Sequence, residues 1–306
     1  MREKWLLWKK ASRFRVLPVM AIPVILGGVS AYAWEGIFRP WLFLLTLIGA
    51  LAAHLFSNMV NDLWDYRNGV DQAAKETAAT VSTNSGSLTG GMIAEKLFAA
   101  VTWSLLAVGV LSGILLSILT GWWALILGAL GGLLAYFYVA PPVKYGYRGK
   151  GYSEIAIVLS FGVLPVLGAY YVQTVDLSWQ ALLISLPVGL LTTLLLFNHH
   201  FLHWQADQQA GKRTLVVVWG EKRALKFSRL LCVIAYSCVV LCVVLQVLPW
   251  YALAALFTAI PFIRVYRELK EVNPSPAYLT LMKASQQASV RCGTLIVLSL
   301  LIYSVL

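Results

Sequence analysis

Charge is what this chain lacks. Of its 306 residues only 12% are Asp, Glu, Lys or Arg, while 59% are hydrophobic. An ordinary soluble domain carries roughly a quarter charged residues, so the composition excludes one and points to a polytopic, all-α integral membrane protein. A formal net charge of +11 raises nucleic acid as a partner. The basic residues, however, are scattered through short loops between apolar runs, and no basic domain stands outside the membrane to grip a polyanion. Nucleic acid is therefore excluded, and the expected partners are membrane lipids and an anionic substrate. Cysteine is equally sparse: Cys232, Cys238, Cys242 and Cys292 lie in apolar runs without CxxC spacing. That excludes a zinc site and a disulfide framework, and the four read as core residues.

What is present is a series of long apolar runs. At about twenty residues per span, nine helices are predicted, near residues 14–34, 40–60, 97–119, 122–140, 153–172, 179–197, 230–248, 250–265 and 288–306. The first follows Arg2, Lys4, Lys9, Lys10, Arg13 and Arg15 but is too long for a signal-peptide core and lacks a small-residue cleavage site. Lysine and arginine alternate with these runs. The N-terminus and the loops after spans two, four, six and eight are basic (among them Arg67, Lys75, Lys144, Lys212 and Arg267), whereas the other loops carry almost none, Arg39 being the exception. By the positive-inside rule the N-terminus is cytoplasmic and the C-terminus outside, in a cell (inner) membrane. The whole of 1–306 reads as a single domain.

Two polar stretches interrupt this pattern, both on the cytoplasmic side. The first, 58–96, opens with Asn58, Asn61, Asp62 and Asp65, with His54 one turn earlier. At about 100° per residue these fall within roughly a third of the helix circumference. Carboxylates crowded on one face repel unless a cation lies between them. Gly69 is the expected helix stop, and Asp71 joins the set only if the helix ends there. The segment Ser82–Gly91, rich in glycine and hydroxyls, offers backbone N–H groups to an anion or serves as a linker. The second stretch, 198–229, repeats the design with Asn198, His199, His200, His203, Asp207, Gly211, Lys212 and Arg213, as an internal duplication would. Both loops are long enough to act as lids over a cavity.

Between spans four and five, Pro141 and Pro142 end a helix and place Lys144 at the membrane boundary, as a phosphate grip or a topological anchor. Two acid clusters with nearby Lys and Arg suit Mg²⁺ bridging a diphosphate, because Mg²⁺ prefers carboxylates plus substrate phosphate oxygens to an all-protein cage. A diphosphate at the mouth of a membrane bundle implies a lipid-soluble tail. Loss of the diphosphate leaves an allylic cation, which needs a dry aromatic pocket, for which Tyr138, Trp64 and Trp204 are candidates. A transporter would instead place its charges near the bilayer midplane.

The motifs Asn61-Asp62-x-x-Asp65 with Gly69-x-Asp71, Tyr138-x-x-Pro-Pro-x-Lys144, and Asp207-x-x-Ala210-Gly211-Lys212-Arg213-Thr214-Leu215 resemble the UbiA superfamily of intramembrane prenyltransferases. Tyr147-Arg148-Gly149-x-Gly151-x-x-Glu154 and Gly168-Ala-Tyr170-Tyr171-Val-Gln173-Thr174 resemble its 1,4-dihydroxy-2-naphthoate branch. The resemblance implies a nine-helix bundle with cytoplasmic cap loops and a Mg²⁺-dependent transfer of a polyprenyl group from polyprenyl diphosphate to a lipid-soluble aromatic acceptor. In the naphthoate branch, which serves menaquinone or phylloquinone synthesis, the acceptor's carboxylate is lost. The expected catalytic residues are Asp62, Asp65 and Asp207, and the expected metal ligands Asn58, Asn61, Asp62, Asp65, Asp71 and Asp207. Tyr138, Lys144, Arg148, His203, Lys212 and Arg213 are expected to contact substrate. The chain departs from the family at His203, where an acid usually stands, and in offering Ser85, Ser87 and Thr89 where an arginine is common. The alternatives are a noncatalytic prenyl-lipid or quinone binder, a prenyltransferase using another acceptor, and a transition-metal site on His199, His200, His203 and Asp207.

Overall fold

The computed structural model describes residues 2–70 and 85–306. Asp71, Lys75 and Ser82 to Asn84 lie outside the described residues. The described chain is almost wholly helical: α1 Arg2–Ala11, α2 Pro18–Glu35, α3 Pro40–Arg67, α4 Glu95–Thr120, α5 Trp123–Phe137, then α6 across Tyr152–Thr174. There follow α7 Trp179–His200, α8 Trp204–Gln209, α9 Leu215–Val244, a 3₁₀ segment Trp250–Ala259, α10 Ile260–Glu268 and α11 Tyr278–Tyr303.

Seven helices among the described residues are long and apolar enough to cross a membrane. Two of the nine expected runs take other forms. The fourth is a helix of 15 residues, α5, and the eighth divides into the 3₁₀ segment and α10. Pro261 stands at the start of α10, where its missing N–H costs nothing but cannot extend the preceding turn.

The burial pattern is that of a membrane bundle. Large apolar side chains such as Leu111, Ile118, Val233, Val244 and Phe257 are exposed, while Asp62, Asp65, Asn198, Asp207 and Lys212 are buried. Water would favour the reverse arrangement. One large core joins α2, α6, α7, α9 and α11, and α3 packs along α4. The approach of α6 to α7 depends on two glycines. A Cβ added at Gly162 would lie 2.7 Å from the Gly189 Cα, so only hydrogen permits the crossing. Here α6 also widens into a π-helical turn over Leu159–Val163.

The helix ends gather into two polar layers. At one end the buried Gln173 Oε1 accepts from the Arg39 backbone N–H at 2.5 Å, and the Tyr171 hydroxyl donates to the Thr120 carbonyl at 2.8 Å. At the other end lie the C-terminus of α3, the loop before α6 and the segment leading into α9.

Candidate active site at the polar end of the bundle

The last turns of α3 carry the first acidic stretch, and the helix ends as expected, with Asn68 as cap and Gly69 at φ 77°. Asp62 and Asp65 are both buried, and each is met by cations and donors from elsewhere in the chain. Asp62 Oδ1 accepts from Arg13 Nη2 at 2.5 Å, and Asp62 Oδ2 accepts from the Ser85 backbone N–H at 3.2 Å. Asp65 Oδ1 accepts from the Tyr147 hydroxyl, and Asp65 Oδ2 accepts from Lys212 Nζ at 2.9 Å. The first acid cluster is thus tied to both loops of the polar end.

Asn58 and Asn61 share this face with different fates. Asn58 Nδ2 donates to the Ser12 carbonyl at 3.3 Å, whereas Asn61 Oδ1 is buried with no hydrogen-bond partner. The fully buried Asn198, expected as the duplicate of Asn58, instead serves packing. Its amide donates to Ser285 Oγ at 2.9 Å and accepts from Ser228 Oγ at 2.6 Å.

The second acidic stretch does not continue α7. That helix ends at His200, residues 201–203 form a turn, and α8 begins at Trp204. The helical spacing that aligned three histidines with Asp207 is therefore broken. Among the described residues no three His, Cys, Asp or Glu side chains are gathered to hold a metal by themselves.

Asp207 is nonetheless the most unusual acid of the bundle. It is 1% exposed, and neither carboxylate oxygen has a hydrogen-bond partner. His203 Nε2 stands 3.6 Å from Oδ2, beyond hydrogen-bond reach. Burial pushes the Asp207 carboxyl up to about 7, opposed by Lys212 and reinforced by Asp65. Burial, with the charges of Lys212 and Arg13, holds His203 down at about 3, so its imidazole is neutral. Burial also works to discharge Lys212, but the carboxylates of Asp65 and Asp207 overcome it and hold the ammonium well above the ordinary lysine value. Lys212 is therefore the charge that joins the two acidic stretches. Its position follows from local sequence: Gly211, at φ 72°, reverses the chain, and the Lys212 N–H donates to the Asp207 carbonyl at 2.8 Å. Thr214 then caps α9.

The loop before α6 completes the site. Lys144 Nζ donates to Asn68 Oδ1 at 2.8 Å, and Asn68 Nδ2 lies 3.4 Å from the Tyr147 hydroxyl. The Arg213 N–H donates to the Tyr147 carbonyl at 3.1 Å, stitching the two loops side by side. Tyr138 lies within the influence of Lys212, Glu154 and Asp65. Arg148 and Arg213 are exposed, and Arg148 Nε donates to the Val143 carbonyl at 3.0 Å rather than to an acid. Sequence reasoning missed Arg13, read only as one of several cytoplasmic charges, and the bridging role of Asn68.

The donor set suits a hard cation. Asp207 and Asn61 together present buried oxygens with no protein donor, and a buried anion or carbonyl without a partner is costly. Oxygen-only ligands, too few for a closed cage, are what Mg²⁺ takes when substrate phosphate supplies the rest.

The model of the UbiA prenyltransferase family matches residues 20–286. The 2-carboxy-1,4-naphthoquinone phytyltransferase of Synechocystis is 27% identical over 88% of this chain and 84% of its own length. The 1,4-dihydroxy-2-naphthoate octaprenyltransferase of Bacillus subtilis is 25% identical over 97% and 92%. Its Escherichia coli counterpart is 30% identical over 76% and 75%. Among solved structures, a UbiA homolog from Archaeoglobus fulgidus bound to GPP and Mg²⁺ superposes with a TM-score of 0.63, covering 95% of this chain and 99% of that one at 16% identity. An apo UbiA homolog from Aeropyrum pernix gives 0.65 at 17% identity, covering 93% and 97%.

Proposed function

Because the chain belongs to the UbiA prenyltransferase family, and within it to the 1,4-dihydroxy-2-naphthoate prenyltransferase branch, we propose that it transfers a polyprenyl group from polyprenyl diphosphate to 1,4-dihydroxy-2-naphthoate with Mg²⁺ as cofactor. The observation that carries this reading is the meeting of the two acidic stretches. Lys212 bonds Asp65 of the first at 2.9 Å, and Asp207 of the second stands beside it with both oxygens unpartnered. Asn61, Asp62, Asp65 and Asp207 are the residues that would hold Mg²⁺, with Asn58 and Asp71 as the remaining expected ligands. Bound there, Mg²⁺ supplies neutralisation of the diphosphate as negative charge develops on the leaving group.

The chain's own residues do the rest. Arg13, Lys144 and Lys212 already sit on acceptor oxygens of Asp62, Asn68 and Asp65. Diphosphate oxygens compete for these cations, and exchange of one oxygen partner for another needs little movement. His203, whose imidazole is held neutral beside Asp207, would offer one N–H to a phosphate oxygen. Tyr138, which lies within the influence of Lys212 and Asp65, is the aromatic residue that would stabilise the developing allylic cation. The apolar bundle excludes water that would otherwise capture the cation. The same reading carries the nine-span count, the cytoplasmic placement of the polar end and the single domain over 1–306.

The test is direct: purified protein with Mg²⁺, prenyl diphosphates of several lengths and a panel of aromatic acceptors, with product identified by mass spectrometry. Prenylated, decarboxylated naphthoate is the expected product. Binding of prenyl diphosphate without product from any acceptor would favour a noncatalytic lipid binder.

A further inference from the structure

We propose that Glu154 holds the aromatic acceptor through its hydroxyl group, an inference that rests on the prenyl transfer proposed above. Glu154 stands in the first turn of α6 and is 8% exposed. Its Oε1 is buried with no hydrogen-bond partner. The bundle shows what a structural glutamate looks like in the same surroundings. Glu221, also 8% exposed, has an Oε2 that accepts from the Tyr278 hydroxyl at 2.7 Å and from the Asn273 N–H at 3.0 Å. Glu154 has a comparable burial, but its Oε1 has no such donor, although Thr193 Oγ1 anchors its main-chain carbonyl at 3.4 Å. The backbone is fixed while Oε1 lacks a donor, which is the condition of an atom whose partner arrives from outside.

Position and sign decide which partner that is. The charges of Glu154, Lys212 and Asp65 all act on the Tyr138 phenol, so Glu154 shares an aromatic neighbour with the polar end of the bundle. A prenyl diphosphate offers only acceptor oxygens and negative charge, and Glu154 repels it. The aromatic substrate offers hydroxyl donors. A carboxylate accepting an O–H forms a stronger hydrogen bond than two neutral groups do. It also draws electron density toward the oxygen that activates the ring.

Full-length protein in lipid nanodiscs, wild type and Glu154→Gln, provides the test. The KM of each substrate is measured with the other saturating. Binding of 1,4-dihydroxy-2-naphthoate and of its di-O-methyl ether is also measured in the absence of prenyl diphosphate. The expected result is an acceptor KM raised roughly tenfold by loss of the charge-assisted bond, with the prenyl-diphosphate KM unchanged within about twofold on the same reasoning. Methylation should weaken binding to wild type more than binding to the variant, whose neutral amide oxygen accepts only the weaker, uncharged bond. Equal rises in both KM values, or the same methylation penalty in both proteins, overturns the inference. Should Glu154→Gln fail to fold, Glu154→Asp keeps the charge but withdraws it by one methylene. It must then shift the acceptor KM alone, and an unchanged acceptor KM refutes the role. A wild type that prenylates no acceptor refutes the underlying reaction, whereas an active wild type with an insensitive variant refutes Glu154 only.

Discussion

Asp62 and Asp65 differ in what their removal leaves behind. Asp62 pairs with Arg13, whose side chain is 26% exposed, whereas Asp65 pairs with Lys212, which is 6% exposed. Asp62→Asn and Asp65→Asn are both expected to lower kcat by roughly a hundredfold or more, the scale of losing one electrostatic contact to a reacting centre. Their stabilities should diverge. Breaking a buried pair strands a charge at about 3–5 kcal/mol, so Asp65→Asn lowers the melting temperature in detergent clearly more than Asp62→Asn. Equal melting temperatures would show that Lys212 finds another partner.

His203 and Asp207 carry a second residue-scale prediction. His203 is held at about 3, below the ordinary histidine value, so between about pH 3 and 6.5 the unfolded chain binds the proton and the folded one does not. Stability from this group therefore rises with pH across that window. Asp207 is raised to about 7, so from its ordinary value near 4 up to 7 the folded chain binds the extra proton, and stability falls with rising pH. The two slopes oppose each other and largely cancel in wild type between pH 4 and 6.5. Thermal unfolding of His203→Gln should become less stable as pH rises through this range, and Asp207→Asn more stable. Parallel profiles for all three proteins would mean that neither group is perturbed. The acids were legible in the sequence because spacing on one helix face is a local property. Arg13 and Asn68 were not, because what they touch depends on how distant segments meet.

At the scale of elements, the sequence marked helix ends well where a local residue dictates them. Gly69 and Gly211 stop or reverse the chain at positive φ; Gly69 is the stop expected from sequence, and Gly211 is noted there as the glycine of the second polar stretch. It failed where a helix breaks without such a signal. Residues 198–209 keep a helical composition, yet α7 ends at His200 and a turn precedes α8, which separates the histidines from the alignment their spacing promised. The eighth run fails for a related reason. Its apolar composition meets the length of a span, but hydropathy carries no information about 3₁₀ winding over Trp250–Ala259. The glycine contact between α6 and α7 gives a prediction at this scale. Gly162→Ala places a methyl 2.7 Å from the Gly189 Cα and 2.8 Å from the Ser185 carbonyl oxygen, both backbone atoms that cannot rotate away. The helices must part, at a cost of about 1–3 kcal/mol. Gly168→Ala, whose nearest neighbour would be a leucine methyl at 4.0 Å, should be nearly silent in the same melts. A silent Gly162→Ala would mean that the two helices have slack at this crossing.

Across the whole molecule, the distribution of charge and the distribution of chemistry coincide. Asp62, Asp65, Lys144, Asp207 and Lys212 meet at one end, and the loops at that end carry nearly all the basic residues. The opposite end, around Thr120, Gln173 and Arg39, has little charge. The proposed orientation, which the positive-inside rule supports, puts the basic end in the cytoplasm and would deliver the proposed aromatic acid and Mg²⁺ to the site from water. Cysteine labelling separates this orientation from its inverse. Met92 is 49% exposed, close to the acid end, and Leu177 is 41% exposed at the opposite end. Cys232, Cys242 and Cys292 are buried and Cys238 is half-buried in α9, so wild type supplies a low background. A membrane-impermeant thiol reagent should label Met92→Cys in inside-out vesicles and Leu177→Cys in right-side-out vesicles. The reverse pattern would put the acids outside the cell, and the acceptor would then have to reach them from that side.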